Sequence, residues 1–252
     1  MQLGAVTYNV LKDMDLDTVI KTLEGAGFEA VELRTGHKHG VEPALSAAER
    51  ERVKARFDHS KIKLLSYGTT CEFQSPDPAE RAKQVEIAKQ FVQLAHDTGA
   101  VGVKVRPNGM PAGVPKETTL QNIATGLREV GLFGYVHGVE IWLEVHGGPT
   151  QMPDVAAEIM RLTKHANVGL CWNSNPTDVV NGSVKASFDL LRPWLKSCHI
   201  TDLVSGYPYR ELFGLMKKSG YDRWTLCEAA ESKEPERFLK YYRALWLEWQ
   251  RG

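Results

Sequence analysis

Short apolar and β-branched runs alternate along the chain with segments in which apolar residues recur every three to four positions. This alternation is typical of strands followed by helices. The segment 79–96 has the helical pattern, because Val85, Ala88 and Val92 fall on one face. Strand-like runs lie at 3–9, 30–34, 62–69, 101–106, 139–146, 168–173, 197–201 and 224–228. The pattern therefore predicts eight strand–helix pairs.

Eight such pairs in 252 residues match the size of a (β/α)8 TIM barrel. Gly27, Gly99 and Gly220 follow predicted helices, as expected for helix C-caps. No Ser/Gly-rich linker or charge block divides the sequence, so we predict one barrel domain over residues 1–252. A doubly wound sheet is the alternative, but the first strand is not followed by its G-x-G-x-x-G turn.

Alternate side chains of a barrel strand face the helices and the lumen. In the fifth predicted strand, the apolar residues at odd positions from 139 to 145 form the helix side. In the fourth strand Val101, Val103 and Val105 do the same. The polar residues predicted to point inward are Glu32, Arg34, Lys104, Arg106, Glu144 and His146. All lie at the C-terminal ends of strands, where barrel enzymes have their active sites.

Polar residues also end the strands that follow. Asn173, His199 and Glu228 end strands six, seven and eight, and Glu144 ends strand five, so the four side chains are able to converge on one point. Carboxylate, amide and imidazole groups suit Mn²⁺, Mg²⁺, Co²⁺ or Zn²⁺. We therefore predict one divalent metal ion. The alternative is an inward ion-pair network with Lys104 and Arg106.

The charge balance narrows the range of partners. Lys and Arg number 31, as do Asp and Glu, so the net charge is zero and a surface for nucleic acid or anionic lipid is not indicated. No apolar run approaches the roughly 18 residues of a membrane helix. The N-terminal MQLGAVTYNV has no basic segment before a long apolar stretch, so we expect a cytoplasmic protein. A homo-oligomer stays open.

Five segments carry a resemblance that covers essentially the whole chain: GFEAVELR, WLEVHGG, GLCWNSNPTD, SCHITD and GYDRWTLCE. In their order and spacing they resemble the xylose-isomerase-like TIM barrels of sugar phosphate isomerases and epimerases, relatives of endonuclease IV. In that family Glu, Asp, His and Glu at the ends of strands five to eight bind one divalent metal, and the two glutamates move protons at carbon. The resemblance implies Glu144, Asn173, His199 and Glu228 as ligands.

The sequence departs from this family pattern at strand six. Asn173 stands where the family has Asp, and Pro176 stands where many epimerases have a substrate-binding His. An amide oxygen still ligates, but the loss of one negative charge predicts weaker metal binding. Asp178, in the following loop, is considered as a replacement ligand.

The predicted function is therefore a metal-dependent isomerase or epimerase of a small sugar or sugar phosphate. Glu144 and Glu228 would transfer the proton next to a carbonyl, through an enediolate. Candidate substrate-binding residues are Glu32, His37, His39, Lys104, Arg106 and His146. Solvated loop histidines are the alternative for His37 and His39. Aromatic residues considered for stacking on a sugar, against a role in the core, are Tyr8, Trp142, Trp172 and Tyr207.

Three other functions remain open. A lyase or dehydratase would use the same enolate chemistry on a keto-sugar and release an unsaturated product. A non-catalytic sugar-binding barrel, with its metal site degraded at Asn173, would bind without turnover. A repair nuclease is least supported, because relatives of endonuclease IV use three metals, more histidines and a basic groove.

Overall fold

Parallel strands close into a barrel in sequential order, with the first strand paired to the last, in a computed structural model that describes residues 1–251. The strands are β1 Gln2–Val6, β2 Ala30–Arg34, β3 Lys63–Gly68, β4 Gly102–Val105, β5 Glu140–Glu144, β6 Val168–Trp172, β7 Leu195–Ile200 and β8 Trp224–Cys227. All eight predicted strands are present, with ends that differ by a few residues. The (β/α)8 prediction is confirmed.

A helix follows each strand. The helices are α1 Leu16–Ala26, α2 Ala47–Asp58, α3 Pro78–Thr98, α4 Lys116–His137, α5 Pro153–Thr163, α6 Lys185–Leu191, α7 Tyr209–Lys218 and α8 Pro235–Trp249. Gly27 and Gly99 cap α1 and α3 with φ of 75° and 83°, a left-handed conformation that glycine adopts without steric cost. The helices return the chain to the barrel bottom, so the C-terminal ends of all strands meet at one mouth.

Two apolar layers hold the barrel. Ile141, Leu143 and Val145 face the helices, as the alternation predicts. The lumen is filled by Val6, Ala30, Leu65, Trp142, Cys171 and Leu226. A Cβ on Gly102 would lie 2.5 Å from the Trp142 ring, so that ring needs a glycine on the neighbouring strand. The lumen below the mouth is therefore packed.

One inward–outward assignment was wrong. Val101 was predicted on the helix side, but it precedes β4, is half-buried and packs against the lumen cluster. The strand begins only at Gly102, so the alternation of a regular strand does not extend to Val101.

The two ends of β5 hold separate polar groups. Glu140, at the start of the strand, accepts hydrogen bonds from Lys196 at 3.0 Å and from Trp142 at 2.9 Å, and pairs with Arg223. Glu144 ends the same strand at the mouth. Apolar packing therefore separates a structural cluster at the bottom from the polar mouth. Across residues 1–251, no helix combines the length and apolarity needed to cross a membrane.

Candidate active site

A cavity of about 310 Å³ opens at the C-terminal ends of the strands. Its lining residues are Tyr8, Arg34, Lys104, Arg106, Glu144, His146, Asn173, Ser174, Asn175, Thr201 and Glu228. Ligand pockets usually measure about 300 to 1,000 Å³, so this one suits a small substrate. Six of the residues predicted from sequence as ligands or substrate contacts are among the lining residues.

His199 lies at the centre of the mouth. Its neighbours Cys198 and Ile200 face the helices, which turns the imidazole inward, where it is fully buried. The Nδ1 atom lies 3.3 Å from Oε1 of Glu144 and 3.3 Å from Oε2 of Glu228. One ligand atom from each of these three residues lies within 4.8 Å of the others.

Neither ring nitrogen of His199 makes a hydrogen bond of good geometry to any described residue, despite these short distances. A buried polar atom without a partner is costly. Carboxylate and imidazole donors gathered at this spacing suit a divalent cation. The three residues therefore fit a metal ion on the Nδ1 side of the ring.

Glu32 lies behind the imidazole. Its Oε1 is 3.2 Å from Nε2 of His199, and its Oε2 accepts a hydrogen bond of 2.8 Å from Ser66 Oγ. A carboxylate on the far nitrogen orients a metal-binding histidine. Glu32 is fully buried and does not line the cavity, so it supports His199 instead of contacting a substrate. A Cβ on Gly68 would lie 2.6 Å from Glu32 Oε1, which explains the glycine there.

Lys104 forms a buried ion pair with Glu144, with 2.6 Å between Nζ and Oε2. Burial alone would raise the pKa of Glu144, but Lys104 and His199 hold it well below its ordinary value. Burial would likewise lower the pKa of Lys104, but Glu144, Glu32 and Glu228 raise it. The Glu144 carboxylate and the Lys104 ammonium are therefore both charged at neutral pH.

The surroundings also keep His199 protonated while no metal is bound. Burial acts to lower the pKa of its imidazole, but Cys171, Glu228 and Glu32 around the ring raise it well above the ordinary value. The ion-pair alternative from the sequence analysis is thus partly present, because Lys104 pairs with Glu144, whereas Arg106 pairs with Glu72 at 2.9 Å.

Asn173 and His146 complete the polar lining. Asn173 directly follows β6 and faces the same cavity as Glu144 and Glu228. The Nδ1 atom of His146 is buried and has no hydrogen-bond partner among residues 1–251. The turn that follows, Gly147–Thr150, is held by Thr150 Oγ1, which donates to the His146 and Gly147 carbonyls.

A family model, described as xylose isomerase-like TIM barrel, matches residues 20–245. The chain belongs to this family of xylose isomerase-like TIM barrels. No curated protein matches it.

Solved structures share the fold of this xylose isomerase-like barrel. D-psicose 3-epimerase with D-tagatose from Clostridium cellulolyticum H10 has a TM-score of 0.84 at 15% identity, over 100% of this chain and 98% of that one. The IolI protein with a bound zinc atom has a TM-score of 0.82 at 17% identity, over 99% and 98%. 3-Keto-D-glucoside 4-epimerase YcjR from E. coli, in its apo form, has a TM-score of 0.82 at 14% identity, over 98% and 99%.

The two loop histidines of the barrel lie outside the cavity lining. His39 is buried, with Nε2 at 2.8 Å from the Arg34 carbonyl and Nδ1 accepting a hydrogen bond from the Val41 N–H at 3.0 Å, so both nitrogens are used within the loop. His37 pairs with Thr7 Oγ1 at 2.9 Å. Burial and the Arg34 charge lower the pKa of His37 to about 4, so it is neutral. Neither histidine lines the cavity, although both were predicted to contact the substrate.

Asp178 is not a metal ligand in this arrangement. Its Oδ2 accepts hydrogen bonds from the Asn175 N–H at 2.7 Å and from Tyr207 Oη at 2.9 Å, and it does not line the cavity. Tyr207 in turn accepts a bond from Trp172 Nε1 at 3.1 Å. This network joins the loops after β6 and β7 and holds Asn175 at the mouth.

Of the aromatic candidates, only Tyr8 lines the cavity, with 40% of its surface exposed. Trp142 and Trp172 are buried in the lumen and the helix layer, respectively. Two residues of the lining, Ser174 and Thr201, and the partner of Arg106, Glu72, were not predicted from the sequence. All three directly follow strands or lie in the loops after them, and this position alone would have made them candidates for the mouth.

Proposed function

We propose that the protein is a metal-dependent isomerase or epimerase of a small sugar, which moves a proton at a carbon next to a carbonyl. The observation that carries the proposal is the position of two carboxylates, Glu144 and Glu228, each 3.3 Å from the unpartnered His199 Nδ1, beside a cavity of sugar size. Family membership and structural likeness to sugar epimerases support it.

Glu144, His199, Glu228 and the Asn173 amide oxygen would hold the ion. A divalent ion supplies Lewis-acid stabilisation of the negative charge that develops on a substrate oxygen when the proton leaves. The zinc in the similarly folded IolI protein supports a metal in this barrel. Glu32 keeps Nδ1 of His199 turned toward that position through its contact with Nε2.

Proton transfer is assigned to the two glutamates. Glu144 is ionised because Lys104 and His199 lower its pKa, so it is able to accept a proton from carbon. Glu228 lines the same cavity from β8, three strands further around the barrel. Carboxylates that approach one carbon from different sides remove a proton from one face and return it to the other.

The remaining polar residues bind substrate oxygens. Lys104 stays protonated because its pKa is raised, so it donates a hydrogen bond and does not act as a nucleophile. His146 lines the cavity and is assigned to bind a substrate hydroxyl group there.

The test is solvent exchange of hydrogen at carbon. The protein, supplied with Mn²⁺, is incubated in deuterated water with ketoses, ketose phosphates and keto-glycosides, and NMR reports deuterium beside the carbonyl. For a given substrate, the variant that removes the glutamate facing its C–H bond, Glu144→Gln or Glu228→Gln, should slow exchange by about 10² to 10⁴, while the other variant still exchanges that substrate. Glu140→Gln is the matched control, since Glu140 lies on the same strand at the opposite end of the barrel. Metal content is measured for each variant.

The outcomes separate the alternatives. Binding of a panel member without exchange in the wild type would support a sugar-binding barrel and contradict catalysis. An unsaturated product would indicate a lyase. Exchange of one and the same substrate that persists in both glutamate variants would show that other groups are the bases.

A further inference from the structure

We propose that the substrate carries a terminal anionic group, phosphate or carboxylate, and that Arg34 and Arg106 bind it on the β2–β4 side of the cavity. This inference deepens the proposed function and rests on it for the identity of the rest of the substrate. Phosphate and carboxylate share the relevant chemistry, because the oxygens of both accept charge-assisted hydrogen bonds from a planar guanidinium group.

Arg34 ends β2 and lines the cavity with no carboxylate within ion-pair distance among residues 1–251. Its Nη1 donates to the Thr35 carbonyl at 3.0 Å, and its Cζ lies 5.4 Å from the centre of the Tyr8 ring. A guanidinium has five N–H donors. The ring and the carbonyl fix the side chain, while most of its donors are left to the cavity.

Arg106 is fixed in a similar way from the other side. Its Nε donates to Glu72 Oε1 at 2.9 Å, and the Gln74 amide donates to the second oxygen of Glu72 at 2.9 Å. The side chain is 25% exposed and lines the cavity. The described structure gives its terminal nitrogens no protein acceptor, so the outer edge of the guanidinium is available to a ligand.

The mouth is divided by charge. Strand order puts β2 and β4 on either side of β3, and their ends carry Arg34, Lys104 and Arg106. The metal-binding group comes from β5, β7 and β8. Glu144 neutralises Lys104 and Glu72 neutralises Arg106, which leaves the Arg34 charge without a counter-ion.

This division orients a substrate. A half-buried cation is stabilised by an anion that accepts its hydrogen bonds. An anionic group is attracted to the arginine side, so the reacting carbon at the other end of the molecule lies toward the glutamates. A neutral sugar offers no partner for the Arg34 charge.

The experiment measures binding without turnover. The probes are D-glucitol, D-glucitol 6-phosphate and D-gluconate. None has a ketone, so the enzyme does not convert them and binding is measured alone. Calorimetry in Mn²⁺ buffer compares the wild type with Arg34→Gln and Arg34→Lys. The control is Arg237→Gln, because Arg237 also lies over a tyrosine, Tyr241, at 5.7 Å, but outside the cavity.

At least one anionic polyol should bind the wild type about tenfold or more tightly than D-glucitol, as expected for charge-assisted hydrogen bonds. Arg34→Gln should bring that ratio close to one, Arg34→Lys should retain part of it, and Arg237→Gln should leave it unchanged. The preference should fall as salt rises. The phosphate and carboxylate arms identify which anion the site takes.

Equal binding of all three polyols, no measurable binding of either anion, or a preference that survives Arg34→Gln would overturn the inference. Arg34-dependent anion binding in a protein that exchanges no hydrogen would contradict the catalytic proposal alone. Efficient exchange with no preference for anions would contradict this inference alone.

Discussion

The Nζ atom of Lys104 lies 2.6 Å from Oε2 of Glu144, and both side chains are buried at the barrel mouth. The lysine leaves Oε1 of the carboxylate facing His199 Nδ1. It therefore fixes one oxygen of Glu144 and leaves the other for a metal or a substrate proton. Removing one member of a buried ion pair leaves the other charged and unpaired, which is strongly destabilising.

Lys104→Met should lower the free energy of unfolding by about 3 to 5 kcal/mol, because it removes the cation that is hydrogen-bonded to the buried Glu144 and leaves only His199, which makes no well-formed hydrogen bond to this carboxylate. Urea unfolding at pH 7 measures the loss. Lys196→Met is the matched control: Lys196 pairs with Glu140 at 3.0 Å at the bottom of the barrel, is 30% exposed, and Glu140 keeps Arg223 as a second partner. The control should lose about 1 kcal/mol or less. Equal losses would contradict the role given to Lys104.

Asn173→Asp should tighten Mn²⁺ binding, because a carboxylate adds Coulomb attraction at short range. Calorimetric titration compares the variant with Asn181→Asp, which adds the same charge at an exposed position of the same β6–α6 loop. Tighter binding in the first variant only is the expected result. A gain that is the same in both, or absent in both, would speak against Asn173 as a ligand.

The stability of the protein should depend on pH through Asp178. Burial raises the pKa of this carboxyl to about 7, despite hydrogen bonds from Tyr207 and Asn175, against an ordinary value of 3.8. Between about pH 4 and pH 7 the folded state therefore holds a proton that the unfolded state has lost. As a result, the free energy of unfolding falls as pH rises across this range.

In Asp178→Asn the side chain no longer titrates. The free energy of unfolding of the variant should therefore rise relative to that of the wild type between pH 4 and pH 8, by on the order of a few kcal/mol. Urea unfolding at pH 4, 6 and 8 measures the difference. Asp97→Asn is the control, because Arg50 holds the pKa of Asp97 below its ordinary value despite partial burial. Its effect should stay constant from pH 6 to pH 8. A difference for Asp178→Asn that does not vary with pH would refute the assignment.

The sequence predicted those features that follow from strand alternation. Period-two patterning on β5 was sufficient to assign Glu144 to the mouth and Ile141 to the helix layer. The order of strands in a (β/α)8 barrel then predicted that Glu144, His199 and Glu228 lie close together. These predictions succeed because alternation assigns each side chain of a strand to one face and all strands end at the same mouth.

Features set by loops and by packing between distant segments were not predictable. His39 was expected near the substrate, but the course of the loop after β2 brings its ring to the Arg34 carbonyl and the Val41 amide. The Tyr207 contact with Asp178 joins residues 29 positions apart in different loops. No periodic pattern encodes such contacts, because irregular backbone has no fixed repeat.

The assignment of one glutamate to each face of the substrate is tested most directly with two epimers in deuterated water. D-Fructose and D-psicose, which differ at carbon 3, and their 6-phosphates are incubated with Mn²⁺ and wild type, Glu144→Gln or Glu228→Gln, with the metal content of each variant measured. The wild type should interconvert one pair with deuterium entering at carbon 3. Each variant, with metal bound, should exchange hydrogen in only one epimer, a different one for each variant, and should interconvert neither. A metal-bound variant that still interconverts the epimers, or one glutamate serving both epimers, would contradict the account.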